Sequence, residues 1–304
     1  MSHEWSNWSG SLRFRPDKIE APKDDNALRS LVQEAAHKGR TVRVVGAGHS
    51  SSPLVQTDDL LISLKSFQGI ESYSLTNGEA VIGTGMTVHD AGRALRKIGL
   101  ATHNVGDVDV QTLVGAIGTG THGTGYQLQN LSTMLIGMRM VNARGEIVEY
   151  SFEDDPGFLR AARVSLGTLG IFTAIRLRLL PAFQLRRREW CTHIEETLAH
   201  LDELMAENRN TVTISLHHNA GLPFQEYFSD IEPIFRAYGG RPHWGKKHTL
   251  KETDLRQLYP KWDDFQTVRK RMDPDCIFLN EYLRQLFGET RSNKMTTNNK
   301  RGGM

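Results

Sequence analysis

The sequence predicts an α+β fold, and three patterns of side chains indicate it. Residues 25–38 carry apolar side chains at helical spacing. The apolar runs 41–45 and 60–64 that follow are typical of short buried strands. Residues 171–179 instead alternate with a period of two, which is typical of an antiparallel strand with one solvent-exposed face. A helix beside short strands, followed by an antiparallel strand, indicates the mixed class.

Capping and breaking residues mark the ends of the predicted helices. Gly39 ends the first helix, as a C-terminal glycine commonly does. A capping box beginning at Thr87 starts the second helix, and Gly99 ends it. Pro156 suits the first position of a third helix, because no N–H donor is needed there. A strand is predicted before the second helix, at 80–84.

The composition changes after Pro181, which predicts the end of a first domain. Beyond it we expect an exposed edge strand, a helix that opens with a capping box, a strand, a second helix and two or three short helices rich in aromatic residues. The first four of these elements correspond to residues 186–190, 192–205, 211–216 and 229–237.

The composition also excludes several classes of protein. The 304 residues carry a formal net charge of +2 at pH 7, so nothing in the charge points to nucleic acid or acidic membranes. Cys191 and Cys276 are too few for a disulfide framework or a cysteine-based zinc site. No signal-peptide pattern or apolar run of membrane-spanning length is present. We therefore expect a soluble, cytoplasmic protein, with peripheral membrane association left open.

The stretch from Val42 to Pro53 is the most informative part of the chain. Its strand stops at Gly46 and Gly48, which let the backbone turn sharply and expose its N–H groups. Such a row of donors suits an anionic group, most often a pyrophosphate. His49 follows at the tip, with three serines behind it. The alternative is an ordinary glycine-rich turn with an exposed histidine.

The sequence argues against the dinucleotide fingerprint of a Rossmann domain. That fingerprint requires a helix directly after the glycines, so that the helix N-terminus faces the pyrophosphate. Here Pro53 and a polar turn follow instead, and Ser52 stands beyond the loop in place of a further glycine. Lys65 stands at the end of the next strand, where an acidic residue is expected.

A second glycine-rich stretch runs from Gly115 to Gly125. Five glycines in eleven residues predict neither a helix nor a stable central strand. The lysine of a phosphate-binding P-loop is absent, which argues against nucleoside triphosphate hydrolysis. The interpretation we favour is backbone laid along an extended ligand, and the alternative is a flexible surface loop.

Five motifs together resemble the vanillyl-alcohol-oxidase type of FAD flavoproteins, and within it the sugar-1,4-lactone and alditol oxidases. The combination covers nearly the whole chain. The motifs are Trp-Ser-Asn-Trp-Ser-Gly at 5–10, Val-Val-Gly-Ala-Gly-His-Ser at 44–50, the stretch 115–125, Ser-Leu-Gly-Thr-Leu-Gly-Ile at 165–171 and His-Trp-Gly-Lys at 243–246.

The resemblance implies a division into domains. Residues 10–182 would form an FAD-binding domain of the PCMH type, with two α+β subdomains holding the cofactor between them. Residues 183–288 would form a reduced α+β substrate domain, the cap, together with the C-terminal helices. Residues 289–304 read as a disordered, polar tail.

The same resemblance implies which residues hold the FAD. His49 matches a position whose imidazole is often bonded covalently to the flavin, and His243 matches a residue near the flavin. The other residues that the resemblance places along the cofactor are Gly46, Ala47, Gly48, Ser50, Ser51, Gly106, Asp107, Thr112, Gly115, Thr119, His122, Gly123 and Ile171.

Two residues of the last motif are the catalytic candidates. Lys246 matches a residue that contacts substrate, and a fixed cation there can stabilise a developing alkoxide. The alternative is a solvated surface lysine. His243 could orient the flavin or relay a proton. His243 and His248 have no apparent third ligand, so no metal site is expected.

The chain departs from the family after Asn210. The family's cap contains a Glu-x-Arg strand that contacts substrate, and no such segment occurs before His243 here. A central block of the cap is missing, on the order of a hundred residues, the size of a small domain. We predict that FAD binding survives this loss better than substrate oxidation does.

The predicted function is oxidation of an alcohol carbon of an arabinono- or gulono-type 1,4-lactone, with O2 or another electron acceptor reoxidising the flavin. One alternative is a non-catalytic FAD-binding protein that lacks a complete cap. Another is an alditol oxidase acting on a polyol such as xylitol. A nicotinamide-dependent reductase is disfavoured, because no nicotinamide fingerprint is present.

Overall fold

A hairpin and a small parallel sheet form the start of the chain. The structure is a computed structural model that describes residues 4–124, 128–185, 193–200, 223 and 225–290. Its first strands are β1 (Trp5–Ser6), β2 (Arg13–Phe14), β3 (Lys18–Glu20), β4 (Val42–Val45) and β5 (Leu60–Ser63). Strands β1 and β2 pair antiparallel, whereas β3, β5 and β4 form a parallel sheet in that order.

The predicted first helix is confirmed as α1 (Asp25–His37). The carboxylate of Asp24 caps its N-terminus, and Gly39 just beyond its end has φ +64°. Leu28 and Val32 are fully buried in the core of the parallel sheet. The helix forms because one apolar stripe covers this sheet.

A five-stranded antiparallel sheet follows, covered by short helices. The remaining strands are β6 (Ile70–Ser74), β7 (Glu79–Gly83), β8 (Leu100–Ala101), β9 (Leu135–Val141), β10 (Ile147–Ser151), β11 (Ile171–Arg178) and β12 (Leu180–Pro181). The sheet has the order β10-β9-β11-β7-β6, and β8 pairs with β12. The helices are α2 (Val88–Lys97), α3 (Leu113–Gly118) and α4 (Pro156–Ala162). The strand predicted at 80–84 and the helix starts at Thr87 and Pro156 are confirmed.

The expectation of one wet face on the strand 171–179 is wrong. The antiparallel pairing is confirmed, but β11 lies between β9 and β7, and residues 171–175 are buried on both faces. The physical reason is that the strand joins two cores. Ile171 packs in the core of the parallel sheet, and Phe172 packs in the core of the antiparallel sheet.

The expectation that the second glycine-rich stretch contains no helix is also wrong. Its first four residues, 115–118, form the end of the six-residue helix α3. Leu113, Ala116 and Ile117 are buried on one helical face, and that burial outweighs the entropic cost of the intervening glycine. Only the part after Gly118 is irregular.

The C-terminal helices pack against the two sheets. The later helices are α5 (Ile194–Ala199), α6 (Gln225–Ala237), α7 (Glu252–Leu258), α8 (Trp262–Met272) and α9 (Glu281–Phe287). Ile277 and Phe278 complete the core of the parallel sheet, and Met272 reaches that of the antiparallel sheet. The predicted short C-terminal helices are therefore confirmed, and they are built into the first half of the fold.

Some predictions fall on residues whose structure is not described. These are the edge strand at 186–190, the strand at 211–216, Gly125, Thr192 and the tail from 291 onward. Within the described ranges, no helix is long and apolar enough to cross a membrane. Those ranges also contain no group of three or more His, Cys, Asp or Glu residues that could hold a metal ion.

Candidate functional site

A cavity of about 290 Å³ lies where the two sheets meet. Its walls are the loop after β4, the end of β5, helix α3 and the loop 165–170 that leads into β11. Both glycine-rich stretches of the sequence therefore face one space. An elongated ligand in this cavity would be held by segments that are distant in the chain.

The loop that follows β4 presents unpaired backbone donors. Within the described chain, the N–H groups of Ala47, Gly48, His49 and Ser50 donate to no protein acceptor. Gly48 has φ +64°, a left-handed conformation that glycine adopts without strain. Successive N–H groups around such a residue form a concavity that favours an anion. The loop thus has the donors that a pyrophosphate requires.

The N-terminal segment holds the carbonyl groups of this loop. The backbone N–H of Trp8 donates to the carbonyl of Gly48, and its Nε1 donates to that of His49, both at 3.1 Å. Asn7 Nδ2 donates to the carbonyl of Ser50 at 3.0 Å. Because three consecutive carbonyls are occupied in this way, the loop is fixed with its N–H groups free for a ligand.

Small residues bring α3 close to the same loop. A Cβ added at Gly46 would lie 2.0 Å from Oγ1 of Thr112, the residue that precedes α3. A Cβ at Gly115 would lie 2.8 Å from the same oxygen. Position 46 therefore requires glycine, because two segments approach each other closely there. Thr119, at the other end of α3, also lines the cavity.

The loop 165–170 closes another side of the cavity. Leu166 and Gly167 both have positive φ, +54° and +66°. For a leucine this left-handed conformation costs roughly 1–2 kcal/mol, so the surrounding contacts must hold it. The N–H of Leu166 donates to the carbonyl of Gly118 at 3.1 Å, which ties the loop to α3. Ile171 follows and lines the cavity.

The turn 243–246 docks on the serines that follow the loop. The N–H of Ser51 donates to the carbonyl of Gly245 at 2.8 Å, and the hydroxyl of Ser52 donates to the carbonyl of Lys246. Gly245 is buried in this contact, whereas the Lys246 side chain is exposed. The late motif, about two hundred residues away in sequence, is thereby placed next to the first glycine loop.

Three imidazoles and one ammonium group gather at this junction. The rings of His122 and His243 have centroids 6.0 Å apart. Burial, the Lys246 charge and His122 together lower the pKa of His243 to about 4. Burial and the Lys246 charge also lower the pKa of His49. Both imidazoles are therefore neutral at neutral pH beside a cationic lysine.

The neutral ring of His243 has a defined tautomer. Its Nδ1 lies 3.0 Å from the backbone N of Gly245 and accepts that N–H. In the neutral ring the proton therefore resides on Nε2. His243 presents a hydrogen-bond donor, rather than a free base, to a group placed against Nε2.

Family comparisons agree with this arrangement. A model described as an FAD binding domain matches residues 16–151, and a model described as D-arabinono-1,4-lactone oxidase matches residues 205–286. Together the two models cover most of the chain. The chain thus contains segments similar to both an FAD-binding domain and the sugar-1,4-lactone oxidases. FAD is accordingly the cofactor of the domain that contains the cavity.

Relatives of this chain align over different shares of their length. The L-gulono-1,4-lactone dehydrogenase of Mycobacterium tuberculosis is 27% identical over 430 positions that cover 95% of this chain and all of the relative. Because this chain has only 304 residues, a large block of the relative has no counterpart in it. The D-arabinono-1,4-lactone oxidase of Eremothecium gossypii is 31% identical over 65% of this chain, which spans only 38% of that relative.

A solved structure supports the fold. Cholesterol oxidase from Brevibacterium sterolicum matches with a TM-score of 0.54 and 18% sequence identity, over 60% of this chain and 37% of the oxidase. At this identity the likeness concerns the fold alone. It agrees with the α+β architecture expected of a PCMH-type FAD-binding domain.

Most of the predicted cofactor residues line this one cavity. Those that line it are Gly46, Ala47, Gly48, His49, Ser50, Thr112, Gly115, Thr119 and Ile171. Ser51, His243 and Lys246 lie in the docking contact beside it. Contact of these residues with FAD stays a prediction.

Four other predicted cofactor residues do not line the cavity and lie on two neighbouring segments, 106–107 and 122–123. A Cβ at Gly123 would lie 2.1 Å from the carbonyl oxygen of Val105, and one at Gly106 would lie 3.0 Å from the Thr121 side chain. These glycines therefore let two backbone segments approach closely. Asp107 and His122 are exposed beside them.

Sequence reasoning missed several residues of the site. Arg43, Thr87, Gln111 and Leu166 also line the cavity. Arg43 left a signal, because a charged residue within a β-branched strand that is predicted to be buried requires an internal partner. Leu166 belongs to the motif at 165–171, but its left-handed backbone is evident only in the folded chain.

Proposed function

We propose that the chain is an FAD-dependent oxidoreductase that oxidises an alcohol carbon of a sugar-1,4-lactone of the arabinono or gulono type. The observation that carries the proposal is the junction of His49, His243 and Lys246 beside the donor-rich loop. The loop that would hold the cofactor therefore lies next to His243, a neutral hydrogen-bond donor, and to the cationic side chain of Lys246. That is the set of groups that a flavin-dependent alcohol oxidation requires.

The residues of the cavity fit FAD. The unpaired N–H groups of residues 47–50 suit a pyrophosphate, as explained above. A Cβ at Gly46 would fill the contact with Thr112, so the narrow approach is specific to glycine. Apolar residues, with Val45, Leu54 and Leu166 among them, share the remaining walls with polar side chains, and such a mixed lining suits the rings of a dinucleotide.

Alcohol oxidation removes a hydride from carbon and a proton from its hydroxyl group. Bound FAD supplies the hydride acceptor, its N5 atom. Lys246 would stabilise negative charge on the substrate oxygen as the proton leaves to solvent. His243 would donate from Nε2 to an oxygen or nitrogen of flavin or substrate, and so orient it. The exposure of Lys246 is compatible with contact to a substrate that arrives from solvent.

His49 would form the covalent bond to the flavin that the resemblance implies. The new N–C bond would replace a C–H bond of the flavin methyl group, with the proton leaving to solvent and the flavin itself accepting the two electrons before its reoxidation. A neutral imidazole is required to act as the nucleophile, and the lowered pKa of His49 keeps its ring neutral at neutral pH. The ring lies on the cavity wall next to the donor loop. Such a bond would prevent loss of the cofactor.

One observation favours a second candidate function, a non-catalytic FAD-binding protein. The alignment with the mycobacterial dehydrogenase leaves a large block of that relative without a counterpart here. The family's Glu-x-Arg substrate strand has no equivalent between Asn210 and His243. Substrate oxidation therefore depends on whether the remaining cap still binds a lactone, whereas the motifs proposed to hold FAD are all present.

Anaerobic flavin reduction tests the proposal. Purified holoprotein is mixed with arabinono-, gulono- or galactono-1,4-lactone, or with xylitol, and the flavin absorbance is followed before and after air is admitted. Bleaching by a lactone supports the proposal, and the rate of recovery in air shows whether O2 is the acceptor. A yellow protein that no compound bleaches indicates the non-catalytic alternative. Bleaching by xylitol alone indicates an alditol oxidase.

A further inference from the structure

Arg43 is a buried arginine immediately before the donor-rich loop. It lies in β4, and only 2% of its surface is exposed. Its guanidinium donates to the backbone carbonyls of Leu54 at 2.8 Å, Leu166 at 2.7 Å, Gly167 at 3.1 Å and Phe278. One side chain thereby joins four segments of the chain.

Three of those carbonyls belong to the walls of the flavin cavity. Leu54, Leu166 and Gly167 line the cavity, and Arg43 lines it as well. The strained backbone at Leu166 is held from both sides, by its N–H on Gly118 and by its carbonyl on Arg43. Without the guanidinium, nothing among these contacts would hold the carbonyl of this left-handed residue in place.

The fourth carbonyl belongs to the C-terminal segment between α8 and α9. The carboxylate of Asp273 accepts the N–H groups of Ile277 and Phe278, both at 2.9 Å. The Phe278 carbonyl then accepts from Arg43, and the N–H of Val42 donates to Ile277. This segment is therefore fastened to β4 directly behind the cofactor loop.

The charge of Arg43 remains inside the fold. Burial lowers the pKa of its guanidinium to about 10, opposed by the Asp273 charge, so the group stays cationic at neutral pH. Its hydrogen bonds go to neutral carbonyls rather than to a carboxylate. A cation beneath a loop that holds a dianionic pyrophosphate would favour that ligand.

We propose that Arg43 is a positioning residue of the FAD site, which fixes the loop 165–170 and the C-terminal segment 273–280 against the cavity. The inference rests on FAD binding by this domain. It assigns the C-terminal segment a role in holding the cofactor, although that segment follows the cap in sequence.

The test compares release of the flavin with loss of the fold. Arg43→Lys keeps the charge and loses the planar fork, whereas Arg43→Met loses both. Arg139→Lys is the matched control, because it makes the same exchange away from the cavity. The Arg139 guanidinium donates to Glu71 at 2.7 Å and pairs with Asp25 at 3.1 Å, so it also joins separate segments, and neither partner lines the cavity. Holoproteins are heated while flavin fluorescence and helical circular dichroism are recorded together.

In the wild type and in Arg139→Lys we expect the two signals to change at the same temperature. In Arg43→Lys, flavin fluorescence should rise several degrees before the helical signal falls, because the cavity wall would open locally before the cores unfold. Arg43→Met should be purified with several-fold less flavin per chain. A covalent bond would change the size of the fluorescence signal, so the comparison uses only the midpoint temperatures of the two transitions within each protein.

Coincident transitions in Arg43→Lys would overturn the proposal, because a purely structural arginine lowers both together. If Arg43→Met does not fold, Arg43→Lys still decides. A wild-type protein that is folded, colourless and takes up no FAD would instead refute FAD binding itself. The two failures are therefore distinguishable.

Discussion

The indole ring of Trp8 lies stacked on the imidazole of His49. The ring centroids are 4.8 Å apart and the planes are inclined by 18°. The Trp8 Nε1–H also donates to the carbonyl of His49 at 3.1 Å, so one residue holds both the ring and the backbone of the other. Trp8 is 62% exposed, which means that the contact serves this histidine rather than a hydrophobic core.

Covalent attachment of flavin should depend on this pair. We expect His49→Ala to bind flavin that is released completely on acid precipitation, because no other residue in the loop is an imidazole. Trp8→Ala should lower the acid-resistant fraction several-fold, since the imidazole ring loses its orientation. Trp8→Phe, which keeps an aromatic face, is the control and should retain most of it. Acid-resistant flavin in His49→Ala would show that His49 is not the point of attachment.

Gly46 should tolerate no side chain. In Gly46→Ala the new Cβ meets the Thr112 hydroxyl, and relieving such a clash costs typically about 1–3 kcal/mol. We expect less flavin per chain and earlier thermal unfolding. Gly92→Ala is the matched control, because a Cβ there meets nothing within 4 Å. Adding Thr112→Ala to Gly46→Ala should restore part of the loss, and equal behaviour of the two alanine variants would contradict the close approach.

The neutral state of His243 should appear in the pH dependence of stability. Its pKa is about 4 in the folded chain, below the value of roughly 6.5 expected when unfolded. The unfolded chain therefore binds the proton more readily between these values, and the stabilising contribution of His243 is lost as the pH falls from 6.5 towards 4.

We expect the wild type to lose more thermal stability than His243→Gln over that window. The measurement is the unfolding temperature of both proteins from pH 4 to 7.5. Asp273, whose pKa burial raises to about 6, acts in the opposite sense but is present in both proteins, so its effect cancels in the difference. Parallel curves for the two proteins would contradict a neutral, half-buried His243.

Lys246 should affect the oxidation of substrate and have little effect on the binding of the cofactor. Lys246→Met should slow anaerobic flavin reduction by a lactone on the order of a hundredfold, the typical effect of removing one group that stabilises a developing oxyanion. The spectrum of bound flavin should stay unchanged. Lys247→Met removes a charge from the neighbouring position and is the control. Equal reduction rates for wild type and Lys246→Met would leave this lysine without a role in the reaction.

The local pattern of the chain predicted its early elements well. The stripe of α1 and the glycine at position 39 predicted that helix to within a residue at its end, because both signals act within a few residues. The strand 171–179 was harder to predict from its local pattern. Its alternation predicted the antiparallel pairing, but the covering of both faces depends on two separate cores that meet at Ile171 and Phe172.

The helix α3 was missed for a related reason. Glycine content alone argues against a helix, and the burial of Leu113 and Ile117 that outweighs it depends on the sheet beneath them. In the same way, the motif at 243–246 identified His243 and Lys246 as candidates. Their closeness to His49 became evident only from the contacts of Ser51 and Ser52.

The amino-acid sequence by itself indicated the family and the cofactor, through five motifs that together resemble FAD flavoproteins, and it located the two glycine-rich loops. Tertiary structure alone decided that Trp8 holds His49 and that Arg43 ties the C-terminal segment to the cavity. Those contacts join residues up to 235 positions apart. Local sequence preferences do not predict these contacts. They form only after packing of the two sheets has brought distant segments of the chain together.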